Sequence, residues 1–541
     1  MTAETEPGNS RPVLTVAADG SADFAEIADA VAAAPGGAVI RVRPGVYRHP
    51  VTIRTDIEVA GDGPVHAVVL ELAEDPALDH DNAIPILIGA RVGVRGLTVR
   101  RAGGTGRSAA IFVAAGTLSL DGCVVEALGD FPLVCRNEGT FALLRRCVFR
   151  TGRHGVLFSN GAGGLMERCA VRGAGTFGVS VGEGARATVR HCRIRGQNGG
   201  IIARESGNAR VEHCRLGGGP NAGLQATDGG TLRADWCAVT NYSYGVLCFN
   251  RGAVLLDGCA LYGNRTGGVC AARDGDAGAV ELARCEVYAN GQTEIQVSGQ
   301  ATATIRDCRI HSGRGNGVDV WHAGSRVRLE GCRIADHAKS GVLATDGGDV
   351  ELIDCDVRDC EAAAISLAGD GAAAVGLVDR CRVSGVRPWG VRATDGAKLT
   401  VRDTTVGNGI LCAGDVRGGL ERCDVTAVGF AAVQIRERAA VALTDSRVHG
   451  SPQAGVFVYL DGRAELNRCA VTDNGEAGVE ATTGGEATVR NSRIGANLLG
   501  AVRLVNGGRA RVTGCDLTGN ARPSWNVDDL DLLSESENRA D

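Results

Sequence analysis

"RHCRIRG" (Arg190–Gly196), "EHCRLGG" (Glu212–Gly218), "EGCRIAD" (Glu330–Asp336) and "DRCRVSG" (Asp379–Gly385) each set a cysteine just ahead of a short apolar strand. The same position recurs from Cys123 to Cys515, with Thr404, Ser446 and Ser492 standing in three times. Over those 392 residues the period is roughly 23, which marks a solenoid. Each repeat reads as three short strands, for example "GVSV" (Gly178–Val181), "ATVR" (Ala187–Arg190) and "CRIR" (Cys192–Arg195). Apolar and polar residues alternate within them, the period-two signature of a half-buried strand. "TDGG" at Thr227 and Thr345 separates first strand from second, because Asp-Gly suits a tight turn. Three strands per repeat predict an all-β chain wound as a single-stranded parallel β-helix of roughly 18–20 coils, about 4.8 Å apart. Paired-helix solenoids are excluded, since glycine interrupts every unit.

The recurring cysteine is therefore expected inside the stack, at the corner between second and third strands. A small apolar side chain fits there, and replacement by threonine or serine speaks for packing, not catalysis. Reactive thiols need exposure and a positive neighbourhood. No C-x-x-C occurs, so no metal is expected at the cysteines.

Composition supports thin layers: Gly 80, Pro 13 and only 4% aromatic residues. The net charge of −6 is concentrated in "DDLDLLSESENRAD" at 528–541, read as an acidic disordered tail and a docking segment for a protein partner. Residues 1–11 are read as a disordered start and 12–527 as the β-helix. The near-neutral body argues against nucleic-acid binding. The polar start and the absence of long apolar runs predict no membrane span and a cytoplasmic protein with reduced thiols.

The two ends need covers. "DFAEIADAVAAAPGG" (Asp23–Gly37) predicts a capping helix, with Asp23 and Glu26 at capping-box spacing and Phe24, Ile27 and Val31 on one stripe. Trp525 is a candidate lid at the other end.

The stretch "LTVAADGSADFAEIADAVAAAPGGAVIRVRPGVYRHPVTIRTDIEVAGDGP" (Leu14–Pro64) resembles the opening of pectinesterases and of the wider pectin-lyase-like superfamily. The later repeats resemble the right-handed β-helix repeats of carbohydrate-binding proteins and sugar hydrolases, where a turn ladder, often of asparagine, holds the place taken here by cysteine. The resemblance implies a right-handed parallel β-helix and a saccharide ligand. It does not carry over pectinesterase chemistry. The comparable early strands "SAAIFV" (Ser108–Val113), "FPLVCR" (Phe131–Arg136) and "GVLFSN" (Gly155–Asn160) lack the required acids.

In that superfamily substrates lie along the outward face of the first strand of each turn. Two groups of outward residues stand out. Gln296, Asp319, Trp321 and His322 form one, with Tyr242, Tyr244 and Phe249 some coils earlier; Gln434, Arg436, Phe457, Tyr459, Glu480 and Arg503 form the other. Rings beside amides and acids suit sugars, which offer an apolar face and polar edges. Hydrolysis asks for two carboxyl groups roughly 5–10 Å apart. Asp319 and Glu480 are seven coils apart, so a hydrolase is disfavoured. A lyase or uronate epimerase needs a carboxylate-neutralising group and a base, for which Arg436, Tyr459 and Glu480 are candidates. The loop "EDPALDHDN" (Glu74–Asn82) is read as solvated, and neither metal nor other cofactor is expected. The leading reading is a saccharide-binding β-helix; the alternatives are a lyase or epimerase, and a protein-interaction scaffold.

Overall fold

The computed structural model describes residues 11–72, 86–101, 109–127, 129, 131–173, 175–195, 198–271, 277–385 and 387–540. Residues 1–10 and the loop Glu74–Asn82 lie outside them. The chain divides into two compact units, Met1–Ala260 and Leu261–Asp541. Each is a parallel β-solenoid, and the two together make about 21 turns.

One turn of the first unit shows how the repeat works. Phe177–Val181, Arg186–Arg190 and Arg193–Arg195 are its three strands. Each pairs in parallel with its counterpart one turn on, Val179 opposite Ile201, Ala187 opposite Ala209 and Ile194 opposite Leu216. Val179, Val181, Ala187, Val189 and Ile194 point inward and are buried. Three sheets thus enclose one core, with first strands in sheet 1, second in sheet 2 and third in sheet 3.

The corner between sheets 2 and 3 explains the recurring cysteine more fully than size does. The residue before it sits in the left-handed region, as at His191 (φ 54), Asp354 (φ 53) and Arg422 (φ 51). The next backbone N–H then points along the stack. Cys169 N donates to Cys192 Sγ at 3.3 Å, and Cys192 N to Cys214 Sγ at 3.4 Å. The Cys192 thiol donates in turn to the Arg190 carbonyl at 3.2 Å. The replacements keep this duty. Cys381 N donates to Thr404 Oγ1, Cys423 N to Ser446 Oγ and Cys469 N to Ser492 Oγ, at 3.0–3.1 Å. The position therefore selects a small side chain with an acceptor at γ, since a buried N–H without a partner costs about 1–3 kcal/mol. All the cysteines are buried and free.

The helix is shorter than its sequence signature, Ile27–Ala33, and buries Ile27, Ala30 and Val31 against the first strands. No capping box forms. The N-cap is Glu26, without a side-chain cap bond, because the Asp23 carboxylate is taken by the backbone N–H and hydroxyl of Thr15. Phe24 makes an isolated β-bridge to Val16 ahead of the helix and is not on the helix stripe.

The acidic end differs more. Residues 528–540 are built into the last turn. Leu533–Ser536 pairs with sheet 2, Ala510 opposite Leu533, and Arg539 N donates to the Cys515 carbonyl at 2.8 Å. Asn538 Oδ1 accepts from Cys515 N at 2.9 Å, taking the place of the next thiol. The acids stay exposed, even Glu535, which continues the inward row of Val512 on this last turn, so the strand forms without burying charge. Trp525 is a strand residue of the same turn, opposite the inward-facing Val502, so it stands over the end of the core as a lid residue would.

Candidate functional site

In the second unit, sheet 1 carries both groups singled out in the sequence. Gln296 lies opposite Asp319, and Trp321 opposite Thr345. Gln434, Phe457, Glu480 and Arg503 occupy one register position on four successive turns, with Arg436 opposite Tyr459 beside them. Tyr242, Tyr244 and Phe249 belong to the first unit, and Tyr242 is wholly buried in its core.

The strip is recessed, not the open surface that alternation alone implies. Gln434 is 8% exposed, Glu480 6% and Ser366 7%. Equivalent side chains on strands about 4.8 Å apart lean on one another and shield each other from water. What remains accessible is a line of rings and polar edges. Phe457 and Tyr459 stack, centroids 4.6 Å apart at 23°. Arg436 Nη1 donates to Tyr459 Oη at 3.4 Å, and Tyr459 Oη to Gln434 Oε1 at 3.5 Å. Next to them Arg503 Nη1 donates to Glu480 Oε1 at 2.9 Å, while Glu480 Oε2 is buried with no partner. Burial pushes the Glu480 carboxyl up and Arg503 pulls it back, with burial the larger effect.

Asp319 is likewise pushed up by burial. Thr293 Oγ1 donates to its Oδ2 at 3.0 Å, Asn316 Nδ2 to its Oδ1 at 2.6 Å, and Lys339 lies near enough to favour the charged form. Both carboxylate oxygens are thus already engaged. Trp321 meets His322 edge-on at 6.2 Å, and His322 is exposed. Of the two groups, the second is the one whose members are joined by hydrogen bonds.

Sequence reasoning missed an interior polar column of the second unit, five residues after the cysteine position. Asn474 N donates to Asn497 Oδ1 at 3.2 Å, and Asn497 N to Asn520 Oδ1 at 3.0 Å. Asn264 N donates likewise to Asn290 Oδ1. Glu294 then replaces the next asparagine, its carboxylate accepting from both the backbone N–H and the side-chain amide of Asn290. Burial raises this carboxyl to about 7 and lowers the equally buried His337 to about 4. The signal was present: "TEIQV" puts glutamate where neighbouring repeats have glycine. Among the described residues no three His, Cys, Asp or Glu side chains converge as a metal site.

Fold and strip together define a class, the parallel β-helices with a polar, aromatic line along one sheet. Right-handed β-helix region models match residues 133–276, 244–406 and 378–530, and the chain belongs to that family. It is 29% identical over 162 residues to a pectinesterase of Daucus carota, covering 28% of this chain and 50% of that protein. It is 28% identical over 162 residues to a pectinesterase/pectinesterase inhibitor of Solanum lycopersicum, covering 28% of this chain and 27% of that one. The chain thus spans half or less of the length of these relatives. Among solved structures it is similar to pectin methylesterase from carrot (15% identity, TM-score 0.29, 46% of this chain and 83% of that one). It is also similar to the A-module of the Azotobacter vinelandii mannuronan C-5 epimerase (15% identity, TM-score 0.30, 66% and 90%).

Proposed function

We propose that the protein binds a saccharide along sheet 1 of the second unit, at Gln434, Arg436, Phe457 and Tyr459. The observation that carries this reading is the stacked Phe457–Tyr459 pair bordered by hydrogen-bonding groups. A ring face gives sugar C–H groups an apolar surface, and the Arg436 and Gln434 edges meet hydroxyl or carboxylate oxygens. The likeness to pectinesterases supports a carbohydrate ligand. The free, buried thiols support a reducing compartment, the cytoplasm. In the scaffold reading, a protein partner would dock on the exposed acids of the last turn and not on a free tail.

A glycan array probed with the full chain tests this. Tyr459→Phe keeps the ring and removes one hydrogen bond, so affinity for a captured glycan falls about tenfold at most. No glycan bound above background would overturn the reading. If the protein instead turns over a uronate polymer and Tyr459→Phe removes more than about a hundredfold of turnover with binding intact, Tyr459 transfers a proton. The lyase or epimerase alternative then replaces simple binding.

A further inference from the structure

Four arginines of the first unit, three of them in repeats quoted at the outset, form a cluster that neither the saccharide strip nor the folding of the repeat uses. On the outer face of sheet 3 in the first unit, Arg172 lies opposite Arg195 and Arg193 opposite Arg215. Arg193 and Arg195 flank the buried Ile194 on one strand, so both point outward. The result is a stepped array over three strands, about 4.8 Å between neighbouring strands and roughly 6.6 Å between Arg193 and Arg195 along theirs. All four side chains are exposed, and among the described residues none has an ion pair or hydrogen-bond partner.

Nearby carboxylates are already occupied. Glu126 is held by Arg100 and Arg150, Glu167 by Arg145 and Arg190, Glu212 by Arg210 and Asp235 by Arg233. The residues that follow these strands in the sequence, Ala174, Gly196 and Gln197, carry no charge. Like charges directly opposite on neighbouring strands destabilise a sheet. The array therefore works against folding, and its counter-charge has to come from outside the chain.

We infer that Arg172, Arg193, Arg195 and Arg215 form a binding site for a compact oligophosphate, free or carried on a nucleotide. Guanidinium forks match phosphate oxygens in paired hydrogen bonds. Four cations stepped over three neighbouring strands, each about 5–7 Å from the next at the backbone, call for a ligand of matching charge density. Contiguous phosphates supply it, whereas a uronate polymer presents only one carboxylate per ring. Long-range attraction draws such an anion in and weakens as salt rises.

The test is calorimetric titration of the full chain with inorganic tripolyphosphate at low ionic strength. The comparison variants are Arg193→Gln/Arg215→Gln and, as a control, Arg509→Gln/Arg511→Gln in the second unit. Tripolyphosphate is expected to bind the unaltered chain, to raise its melting temperature and to lose affinity with added salt. The first variant is expected to bind at least tenfold more weakly while melting no lower without ligand, since it removes repulsion. The control is expected to bind as the unaltered chain does. ATP binding equally well places recognition on the phosphates alone; tighter binding of ATP assigns the site to nucleotides. Absence of tripolyphosphate binding, or an equal loss in the control, would falsify the site. Tighter binding of a sulfated oligosaccharide or of a single-stranded oligonucleotide would overturn the assignment to oligophosphate.

Discussion

The two units wind the same repeat but place their ionisable groups differently. On the outer face of sheet 3, the first unit stacks Arg172, Arg193, Arg195 and Arg215 with no acid among them. The second unit interleaves acids at equivalent positions, pairing Glu286 with Arg309, Asp356 with Arg358, Asp424 with His449 and Asp516 with Arg493. It also buries charge-bearing groups, Glu294 and His337 in its core and Glu480 in its strip. The repeat dictates the inward apolar residues and the γ-acceptor at the corner. It leaves outward positions free, and the units have filled them differently. The first leaves these four arginines unmet, although its earlier turns match Arg100 and Arg150 with Glu126. The second spaces acids along the same sheet and buries Glu294, His337 and Glu480.

The sharpest test of that contrast is Glu294→Gln. Burial raises the Glu294 carboxyl from 4.5 to about 7, so the folded protein holds a proton that the unfolded chain releases. The stability it contributes is present at low pH and is lost as pH rises through that window. An amide carries no such penalty. Glu294→Gln is expected to gain on the order of 3 kcal/mol at pH 8 relative to its effect at pH 5. His337, lowered to about 4, acts in the opposite sense, losing stability as pH falls from 6.5, but it is common to both proteins and cancels. Chemical denaturation at the two pH values measures the difference; an equal effect at both would mean that Glu294 is not a buried charge in the folded state.

A smaller effect is expected from Arg503→Ala, which leaves the Glu480 carboxylate buried and unpaired. Breaking a fully buried pair costs about 3–5 kcal/mol; here about 2 kcal/mol is expected, since Arg503 keeps a third of its side chain in water. The loss shrinks at acid pH, where Glu480 takes up a proton, and a pH-independent loss would show that packing of the arginine stem matters instead. The smallest effect is Arg215→Glu, which gives the first unit the alternation of the second. Removing repulsion and adding an exposed pair is expected to stabilise by at most about 1 kcal/mol. The same change abolishes tripolyphosphate binding. A destabilised Arg215→Glu would mean that the arginine array is not under repulsive strain.

Much of this was legible in the residues. The 23-residue spacing, the alternation within "ATVR" and "CRIR" and the Asp-Gly turns led to three sheets and an interior cysteine column. The grouping of Gln434, Arg436, Phe457, Tyr459, Glu480 and Arg503 followed from register alone, because equivalent positions in a solenoid must stack. Three things were misread for one reason: composition was weighed without hydrogen bonding. The acidic end looked free because its side chains are charged, yet its backbone completes a sheet edge. Asp23 looked like a cap, but Thr15 holds it. The cysteine looked like a filler, but it is an acceptor.

By itself, then, the sequence determined the class of fold, the period and which residues share a row, because repeat spacing and side-chain alternation are properties of a single strand and its copies. Only the tertiary structure decided how deep each row lies, which acid meets which arginine and which arginines meet none. Those outcomes depend on neighbours one turn away, some 23 residues along the chain, where a charge is matched or left open by a contact that no local pattern records.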